Sequence, residues 1–327
     1  MKVLFTRPSF TRDLPWSDLG PALPGWDIDA CKPDEVPAHL AGADVICPLG
    51  TAVDRRLIRA GAFGLVQQFG VGIERVDVGA ATEHGVWVAR IAGESSGNAD
   101  SVAELAVLHL LALARRLDDA RAAVRDGRWA DRTGGTSLLG ATVLIVGLGA
   151  IGTAVARRLA PFGARLLAVR AHPALGGPAE VTDIAGPGRL PGLLATADAV
   201  VCCAMFSAET AGMFGADAFA AMKPGALFVN VARGGLVDEA ALLAALESGH
   251  VGGAGLDVYA HEPPDGDSPL LRHPRVVATP HVGGLTEVMF RRSAGLFAAN
   301  LQRWAAGEPP RWAVNTPLPG RPARACA

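Results

Sequence analysis

Short apolar runs alternate with helix-like segments along most of the chain. In the first hundred residues the runs KVLFT, WDIDAC, ADVICP, GLVQQFG and GVWVAR have the character of strands, and segments such as VDRRLIRAG separate them. A second series follows, with TVLIV, RLLAV, AVVCCAM, ALFVNV, GAGLDV and RVVATP as its strands. Strands that alternate with helices are typical of parallel sheets with crossover connections. The pattern therefore predicts an α/β fold with two doubly wound parallel-sheet domains.

Two helical segments complete the pattern. The first runs from about Asn98 to Val124 and is apolar on nearly every face in its middle, so we expect it to be buried on several sides. Its apolar surface also favours packing against a second copy of the chain in a two-fold homodimer. The second runs from about Thr286 to Ala306. We expect residues 1–98 and 285–327 to form one domain and residues 99–284 to form the other.

Composition and charge argue against several classes of protein. The chain has 327 residues, of which 50% are hydrophobic. Its formal net charge is −2, so it lacks the excess of positive charge that is typical of proteins that bind nucleic acid or a membrane surface. Its longest apolar stretch, Val102–Ala114, is too short to span a bilayer. The five cysteines show neither paired nor metal-type spacing. We expect a cytoplasmic protein with buried thiols and no metal site.

A glycine-rich turn follows the first strand of the second series. Gly147, Gly149 and Gly152 match the pattern G-x-G-x-x-G, and Ala150 and Ile151 begin the helix behind it. In a dinucleotide site the first glycine permits the turn, the second admits the pyrophosphate and the third lets helix and strand pack closely. The same pattern also occurs in bare strand-to-helix turns, but the flanking strand and amphipathic helix favour a cofactor site.

The residue at the end of the next strand indicates which dinucleotide is bound. An acidic residue in this region would hold the ribose hydroxyls of NAD, but Arg170 stands eighteen residues after Gly152. Arginine can accept the 2′-phosphate of NADP, and His172 could add a second contact. The alternative is a solvated surface arginine. The sequence therefore predicts NADP as the favoured cofactor, with NAD possible.

Several further stretches resemble the D-isomer-specific 2-hydroxyacid dehydrogenases, and they follow the order of that family over most of the chain between residues 67 and 284. The resemblance implies a Rossmann cofactor domain inserted in a flavodoxin-like substrate domain. It also implies hydride transfer between a nicotinamide cofactor and a small 2-hydroxy or 2-oxo acid. The stretches are Gly70–Asp77, Gly97–Arg116, TAGMFGADAFAAMKPGA, Phe228–Leu242, Ala254–Pro263 and Ala278–Gly284.

The chemistry of 2-oxo acid reduction calls for a cation, a proton donor and a partner for that donor. Arg233 offers a planar fork for a carboxylate, and His281 is a residue type that carries protons near neutral pH. Glu262 would hydrogen-bond the imidazole and stabilise its charged form. Each residue also has an interpretation without catalysis: Arg233 could form a surface ion pair, His281 could be a structural histidine, and Glu262 could be a turn residue. The resemblance selects Glu262 over nearby acidic residues because the glutamate of the family precedes a proline.

The resemblance also implies contacts outside this trio. It places the substrate carboxylate at the backbone N–H groups of Val71 and Gly72, beside Arg233 and His281. It assigns Asp257 to the nicotinamide amide and Thr210 to the phosphates. The remaining cofactor contacts are expected at Val231, His281 and Gly283.

Substrate identity is predicted only as a class. No Arg or Lys lies between Cys47 and Val53, in the loop expected over the pocket, which argues against phosphoglycerate. Phe69 stands where phosphite-oxidising relatives have Lys, and Glu262 stands where formate-oxidising relatives have Gln. We therefore expect an unphosphorylated 2-oxo acid such as glyoxylate or hydroxypyruvate. A phosphoglycerate dehydrogenase-like enzyme and a cofactor-sensing, co-repressor-like binding protein remain the alternatives.

Overall fold

The structure, a computed structural model, describes residues 1–7, 16–130, 134–317, 319 and 321. The chain divides into two compact units, Met1–Asn98 with Leu285–Ala327 and Ala99–Gly284. Residues 131–133, which belong to a polar, glycine-rich segment, and residues 318, 320 and 322–327, which include Cys326, lie outside the described residues. Among the described residues no helix is long and apolar enough to cross a membrane.

The first unit is built on a five-stranded parallel sheet with the order β2-β1-β3-β4-β5. This is the flavodoxin-like order, in which the strand sequence reverses beside β1. Every strand lies within one of the apolar runs that the sequence predicts. The strands are β1 (Lys2–Phe5), β2 (Asp27–Ala30), β3 (Val45–Cys47), β4 (Leu65–Gln67) and β5 (Trp87–Ala89).

The second unit is built on a seven-stranded parallel sheet with the order β12-β11-β10-β9-β6-β7-β8. Read from β8, this is the Rossmann order 3-2-1-4-5-6 with one further strand at the edge. The predicted fold class, two doubly wound α/β units, is confirmed. The strands are β6 (Thr142–Val146), β7 (Arg165–Val169), β8 (Val181–Ala185), β9 (Ala199–Cys202), β10 (Ala226–Asn230), β11 (Val251–Leu256) and β12 (Val276–Ala278).

Helices connect the strands of both sheets, as parallel pairing requires. Those of the first unit are α1 (Trp16–Ala22), α2 (Val36–His39), α3 (Arg55–Ala60), α4 (Val78–Glu83), α5 (Gly93–Ser96) and, at the far end of the chain, α13 (Glu287–Ala305). Helix α6 (Asn98–Ala114) begins at the boundary between the units. The rest belong to the second unit: α7 (Leu117–Arg125), α8 (Ala150–Leu159), α9 (Leu190–Leu194), α10 (Ala216–Ala221), α11 (Glu239–Glu247) and α12 (Pro269–Arg272).

Both sheets are buried on two faces. In β6, Val143 and Ile145 belong to one hydrophobic cluster, whereas Leu144 and Val146 belong to the cluster on the opposite face. Successive side chains of a strand point to opposite faces, so a strand between two helix layers must be apolar at every position. This is why the central strands read as unbroken apolar runs in the sequence.

One expectation about the elements is wrong, and one strand was not predicted. The helix predicted from Asn98 to Val124 is two helices, because Arg116 adopts a left-handed backbone with φ of 48° and ends the first. The strand β8 was not predicted from the sequence. It is an edge strand that pairs only with β7, and its exposed Thr182 and half-buried Asp183 interrupt the apolar run.

Candidate functional site

The three glycines of the turn after β6 meet different surroundings. Gly147 has φ of +98°, and a Cβ there would lie 2.5 Å from the backbone of Cys203 and Ala204. A Cβ at Gly152 would lie 2.0 Å from the carbonyl oxygen of Gly147. A Cβ at Gly149 would meet no atom within 4 Å. The protein itself therefore requires glycine at the first and third positions, whereas the second opens onto space that a ligand can fill.

This turn lies where the strand order of the second sheet reverses. Gly147 follows β6 and Cys203 follows the adjacent strand β9, and the two segments touch at the carboxyl edge of the sheet. Ligands of doubly wound folds bind at such a switch point. Helix α8 starts directly after Gly149, so its first N–H groups, which have no partner inside the helix, face an anion-binding position.

Arg170 and His172 lie on the other side of this switch point, after β7. The Arg170 backbone N–H donates to the Ala185 carbonyl, and its guanidinium Nη1 donates to the Gly176 carbonyl. That bond uses one of the five N–H donors of the guanidinium. His172 is exposed and precedes the short 3-10 turn Pro173–Leu175. The structure thus places both residues at the strand end where the ribose of an adenine nucleotide is read in this fold.

A buried amide organises the turn that carries Arg233. Asn230, at the end of β10, is 1% exposed, and its Nδ2 donates to the Arg233 carbonyl at 3.0 Å. Its Oδ1 accepts from the Ala232 N–H at 3.0 Å. The Arg233 guanidinium also donates to the Ala232 carbonyl at 2.7 Å. Asn230 was not predicted from the sequence, although a polar residue at the end of an otherwise apolar strand is a signal that could have indicated it.

Glycine at position 234 allows two loops to approach each other. A Cβ there would lie 1.9 Å from the carbonyl carbon of Tyr259. The close approach brings the segment after β10, with Arg233, against the segment after β11, which carries Glu262. Burial raises the pKa of Glu262, but the hydrogen bond with His281 and the charge of Arg233 outweigh it, so the pKa lies below its usual value.

Glu262 and His281 form a direct pair. The Glu262 Oε2 lies 2.8 Å from His281 Nδ1, while its Oε1 accepts from the Tyr259 N–H at 3.1 Å. The carboxylate is therefore held on both oxygens and orients the imidazole. The side chain of His281 is 46% exposed, so its other ring nitrogen, Nε2, is the one within reach of a small molecule.

Asp257 anchors the loop that carries His281. It is 2% exposed and follows β11 directly. Its Oδ1 accepts from the Thr279 hydroxyl at 2.6 Å and from the Val282 N–H at 2.9 Å, and its Oδ2 accepts from the Gly283 N–H at 2.9 Å. The expected contact of Asp257 with a nicotinamide amide stays a prediction, because the carboxylate is also engaged with the chain itself.

The other predicted residues occupy three places. The Thr210 hydroxyl accepts from the Ser207 N–H and donates to the Met205 carbonyl, both at 2.8 Å, so it closes the loop after β9. Val231 is buried in the turn after β10. Val71 and Gly72 belong to the first unit, in the loop after β4, where the Gly72 carbonyl accepts from Gln68 at 2.6 Å. The structure thus gathers Arg233, Asp257, Glu262 and His281 in the second unit.

The comparisons with known proteins place this chain in a family. The profile of the D-isomer specific 2-hydroxyacid dehydrogenase, NAD binding domain, matches residues 107–283. The chain belongs to the D-isomer-specific 2-hydroxyacid dehydrogenases, as its motifs predicted. The matched residues lie in the unit that carries the glycine turn, and that domain of the family binds a nicotinamide cofactor.

Individual relatives differ in their activities. The chain is 39% identical over 293 residues to a D-3-phosphoglycerate dehydrogenase of Mycobacterium bovis and 36% identical over 289 residues to one of Archaeoglobus fulgidus, with 88% and 86% of this chain aligned. It spans about half the length of these curated relatives, 54% and 53%. Among solved structures, the TT0316 protein of Thermus thermophilus matches with a TM-score of 0.84 and 31% identity, covering 96% of this chain and all of that one. A glyoxylate reductase of Paecilomyces thermophila matches with a TM-score of 0.78 and 27% identity, covering 96% and 98%.

The described residues fit a nicotinamide dinucleotide. Gly149 leaves open space at the start of α8, and the helix N-terminus there favours a pyrophosphate. Arg170 supplies a cation after β7, and the buried Asp257 supplies a carboxylate after β11. These groups are spread along one carboxyl edge of the sheet, as an extended dinucleotide requires.

The different surroundings of two glycines predict different effects of one substitution. Gly152→Ala should destabilise the fold by about 1–3 kcal/mol, because its methyl group overlaps the Gly147 carbonyl. Gly149→Ala should change the free energy of unfolding by less than about 1 kcal/mol yet weaken cofactor binding by roughly tenfold or more, because its methyl group fills the ligand space. Urea unfolding and cofactor fluorescence titration measure the two effects. Equal losses of stability would contradict the assignment of this space to a ligand.

Proposed function

We propose that the chain is a nicotinamide-dependent reductase of a small 2-oxo acid, producing the D-2-hydroxy acid or running in reverse. The observation that carries this proposal is the 2.8 Å contact between Glu262 and His281 Nδ1, which presents Nε2 of the ring to a substrate. The second unit, residues 99–284, is the proposed dinucleotide-binding domain. Residues 1–98 and 285–327 form the proposed substrate domain.

Each residue of the site has a distinct task in this reaction. The reduced nicotinamide supplies the hydride. His281 donates a proton from Nε2 to the carbonyl oxygen as that oxygen gains charge, and Glu262 stabilises the imidazolium that must exist before the transfer. Arg233 binds the substrate carboxylate through its planar fork. The N–H groups of Val71 and Gly72 are the proposed second contact for that carboxylate.

Phosphoglycerate is the second candidate substrate, and one observation favours it. The loop from Cys47 to Val53 contains no cation, but Arg75 reaches it from outside and donates from Nη1 to the Gly50 carbonyl at 3.1 Å. Arg7 also approaches, with its Nη2 3.9 Å from the position of a Cβ on Gly50. The absence of Arg and Lys within the loop is therefore a weaker argument against a phosphate than the sequence implied.

A substrate panel tests the proposed function. Purified protein would be assayed with glyoxylate, hydroxypyruvate, pyruvate and 3-phosphohydroxypyruvate, each with NADPH and NADH. Turnover of an unphosphorylated acid supports the first candidate, and selective turnover of the phosphorylated acid supports the second. Cofactor binding without turnover of any of these acids would overturn the reductase and favour the cofactor-sensing alternative.

His281 gives the sharpest test of the proposed mechanism. His281→Ala should lower turnover by about 10²–10⁴, because the proton donor is lost while cofactor contacts elsewhere remain. His261→Ala is the matched control, since His261 is exposed and lies beside Glu262 without belonging to the pair. Turnover of His281→Ala near the wild-type value would remove this residue from the mechanism.

We propose NADPH as the preferred cofactor because Arg170 replaces the acid that would hold the ribose of NAD. Arg170→Ala should weaken NADPH binding by roughly 10- to 150-fold, the equivalent of about 1.5–3 kcal/mol for a charge-assisted contact. NADH binding should hardly change, and Arg170→Asp should favour NADH. The NADPH effect should shrink at high salt, because the strand end is close to solvent.

Arg165→Ala is the control for this measurement, because Arg165 is an exposed arginine at the opposite end of the same strand. It should leave both affinities unchanged. A wild-type preference for NADH, or equal losses of both cofactors on Arg170→Ala, would show that Arg170 does not read the 2′-phosphate.

We propose that the enzyme is a homodimer that uses apolar surface on and next to the segment predicted from Asn98 to Val124. Helix α6 is buried along most of its length. Exposed apolar side chains remain on this segment and just after it, where Leu108 is 54%, Val124 is 63% and Trp129 is 68% exposed. Light scattering at micromolar concentration should give twice the monomer mass, and Val124→Glu should shift it towards the monomer. A monomeric wild type would refute the proposal.

The cytoplasm is the proposed location. Cys31, Cys47, Cys202 and Cys203 are free thiols, which persist in a reducing compartment. Burial raises the pKa of Cys31 to about 11 and that of Cys202 to about 12, so these thiols are inert packing groups rather than nucleophiles.

A further inference from the structure

A buried histidine that the proposed mechanism does not use lies against the segment that carries His281. His109 belongs to α6 and is 1% exposed. Its Nε2 lies 3.1 Å from the hydroxyl oxygen of Thr279, two residues before His281. Its Nδ1 is buried and has no hydrogen-bond partner among the described residues. A buried polar atom left unpaired is costly, so the position of this ring calls for an explanation.

The hydrogen bonds around Thr279 fix the direction of donation. The Thr279 hydroxyl has one hydrogen, which it donates to Asp257 Oδ1 at 2.6 Å, because a carboxylate can only accept. The hydroxyl oxygen must then accept from His109, so the hydrogen of that ring is on Nε2. Burial lowers the pKa of His109 despite the opposing charge of Asp257, which favours this neutral form with an unprotonated Nδ1.

The chain of bonds ends on the backbone around the catalytic histidine. His281 has φ of +53°, in the left-handed region that residues other than glycine seldom adopt. Asp257 accepts from the N–H groups of Val282 and Gly283, the two residues that follow His281. Such a backbone persists only where its surroundings determine it. The Asp257 carboxylate is therefore one restraint on the backbone of His281, beside the hydrogen bond that the His281 N–H donates to the Thr279 carbonyl at 3.0 Å.

Small residues make room for this arrangement. A Cβ at Gly255 would lie 2.7 Å from the Cβ of His109, so the ring can approach β11 only because that strand has glycine there. A Cβ at Gly283 would lie 2.9 Å from Asp257 Oδ2. The hydrogen bonds from His109 to Asp257 thus depend on a glycine at each end, Gly255 and Gly283. Neither glycine is needed by the turn after β6 or by the pair of Glu262 and His281.

We propose that His109 is a positioning residue for His281, acting through Thr279 and Asp257. Its Nε2–H holds the Thr279 hydroxyl so that the hydroxyl hydrogen points at Asp257, and the carboxylate then holds the backbone that aims the His281 ring. The proposal rests on the proposed function for the role of His281. The arrangement of bonds itself does not depend on that function.

The test compares two substitutions of His109 that differ in one property. His109→Gln keeps a side-chain N–H that can reach Thr279, whereas His109→Leu keeps apolar volume and removes the donor. The first readout is the hydrogen-exchange rate of the Val282 and Gly283 amides in the protein without cofactor. The second readout is the turnover number with the best acid of the substrate panel, together with the dissociation constant of the cofactor.

His109→Leu should speed exchange of both amides and lower turnover, each by about tenfold, the scale of one buried hydrogen bond. The cofactor dissociation constant should stay near the wild-type value, and His109→Gln should restore exchange and turnover to within about threefold of the wild type. Thr279→Val should behave like His109→Leu, and the double variant should be no worse than either, because both break one chain of bonds. Thr279→Ser, which keeps the hydroxyl, should stay close to the wild type. If His109→Leu does not fold, the Thr279 pair carries the same comparison.

Three results would overturn the proposal: unchanged amide exchange in His109→Leu, equal damage from Leu and Gln, or additive effects in the double variant. A loss of thermal stability without a change in exchange or turnover would show that His109 only packs. Absence of turnover in the wild type would defeat the proposed function instead, and the exchange rates would still decide whether His109 holds the loop.

Discussion

The buried carboxylate of Asp257 is the interaction on which the candidate site depends. It follows β11 and binds the segment after β12 through a hydroxyl and two backbone N–H groups. Parallel strands bring their carboxyl ends to one edge of a sheet, but that arrangement alone leaves the following loops unrestrained. A charged acceptor with good geometry compensates the burial of its charge by binding several donors at once. This anchoring fixes the backbone of His281, and the contact with Glu262 then fixes its ring.

Close approach between backbones is the second constraint. Gly234 lets the turn after β10 touch the loop after β11, and Gly152 lets α8 pack on the glycine turn. In both places a single methyl group would overlap main-chain atoms that cannot rotate away. The glycines around the site are therefore needed for packing between segments as well as for turn conformation. Gly149 differs because its surroundings are open, and it is the glycine that a ligand explains best.

Much of the fold was predictable because two physical signals are local. Unbroken apolar runs marked the central strands, and α11 begins after Asp238, an N-cap residue type whose carboxylate accepts from the Ala240 and Ala241 N–H groups. The edge strand β8 was missed because one of its faces is exposed to solvent, so polar residues interrupt its apolar residues in the sequence. The break between α6 and α7 was missed because Arg116, with no glycine or proline beside it, adopts a left-handed backbone.

The candidate site was only partly predictable for a different reason. Arg233, Glu262 and His281 could be named as candidates from the sequence, because the chemistry of the proposed reaction and the family motifs both point to them. Asn230, Thr279 and His109 act by holding other groups, and nothing in their local sequence shows which groups those are. Their partners come from other strands or helices, or from a turn whose shape the sequence does not state. The roles of Thr279 and His109 become visible only once long-range contacts are known, whereas Asn230 binds the turn that follows it and carries a signal in the sequence.

The strand order places Arg170, the proposed determinant of cofactor preference, far from the pair of Glu262 and His281. Arg170 follows β7, whereas Asp257 follows β11, four strand positions away in the order β11-β10-β9-β6-β7. At about 4.8 Å per strand this is about 19 Å along the edge of the sheet, about twice the Debye length in physiological salt. We therefore expect a change at Arg170 to act on the proposed choice of dinucleotide without disturbing the pair of Glu262 and His281. The glycine turn lies between them, and the pyrophosphate that it is proposed to hold is common to NAD and NADP.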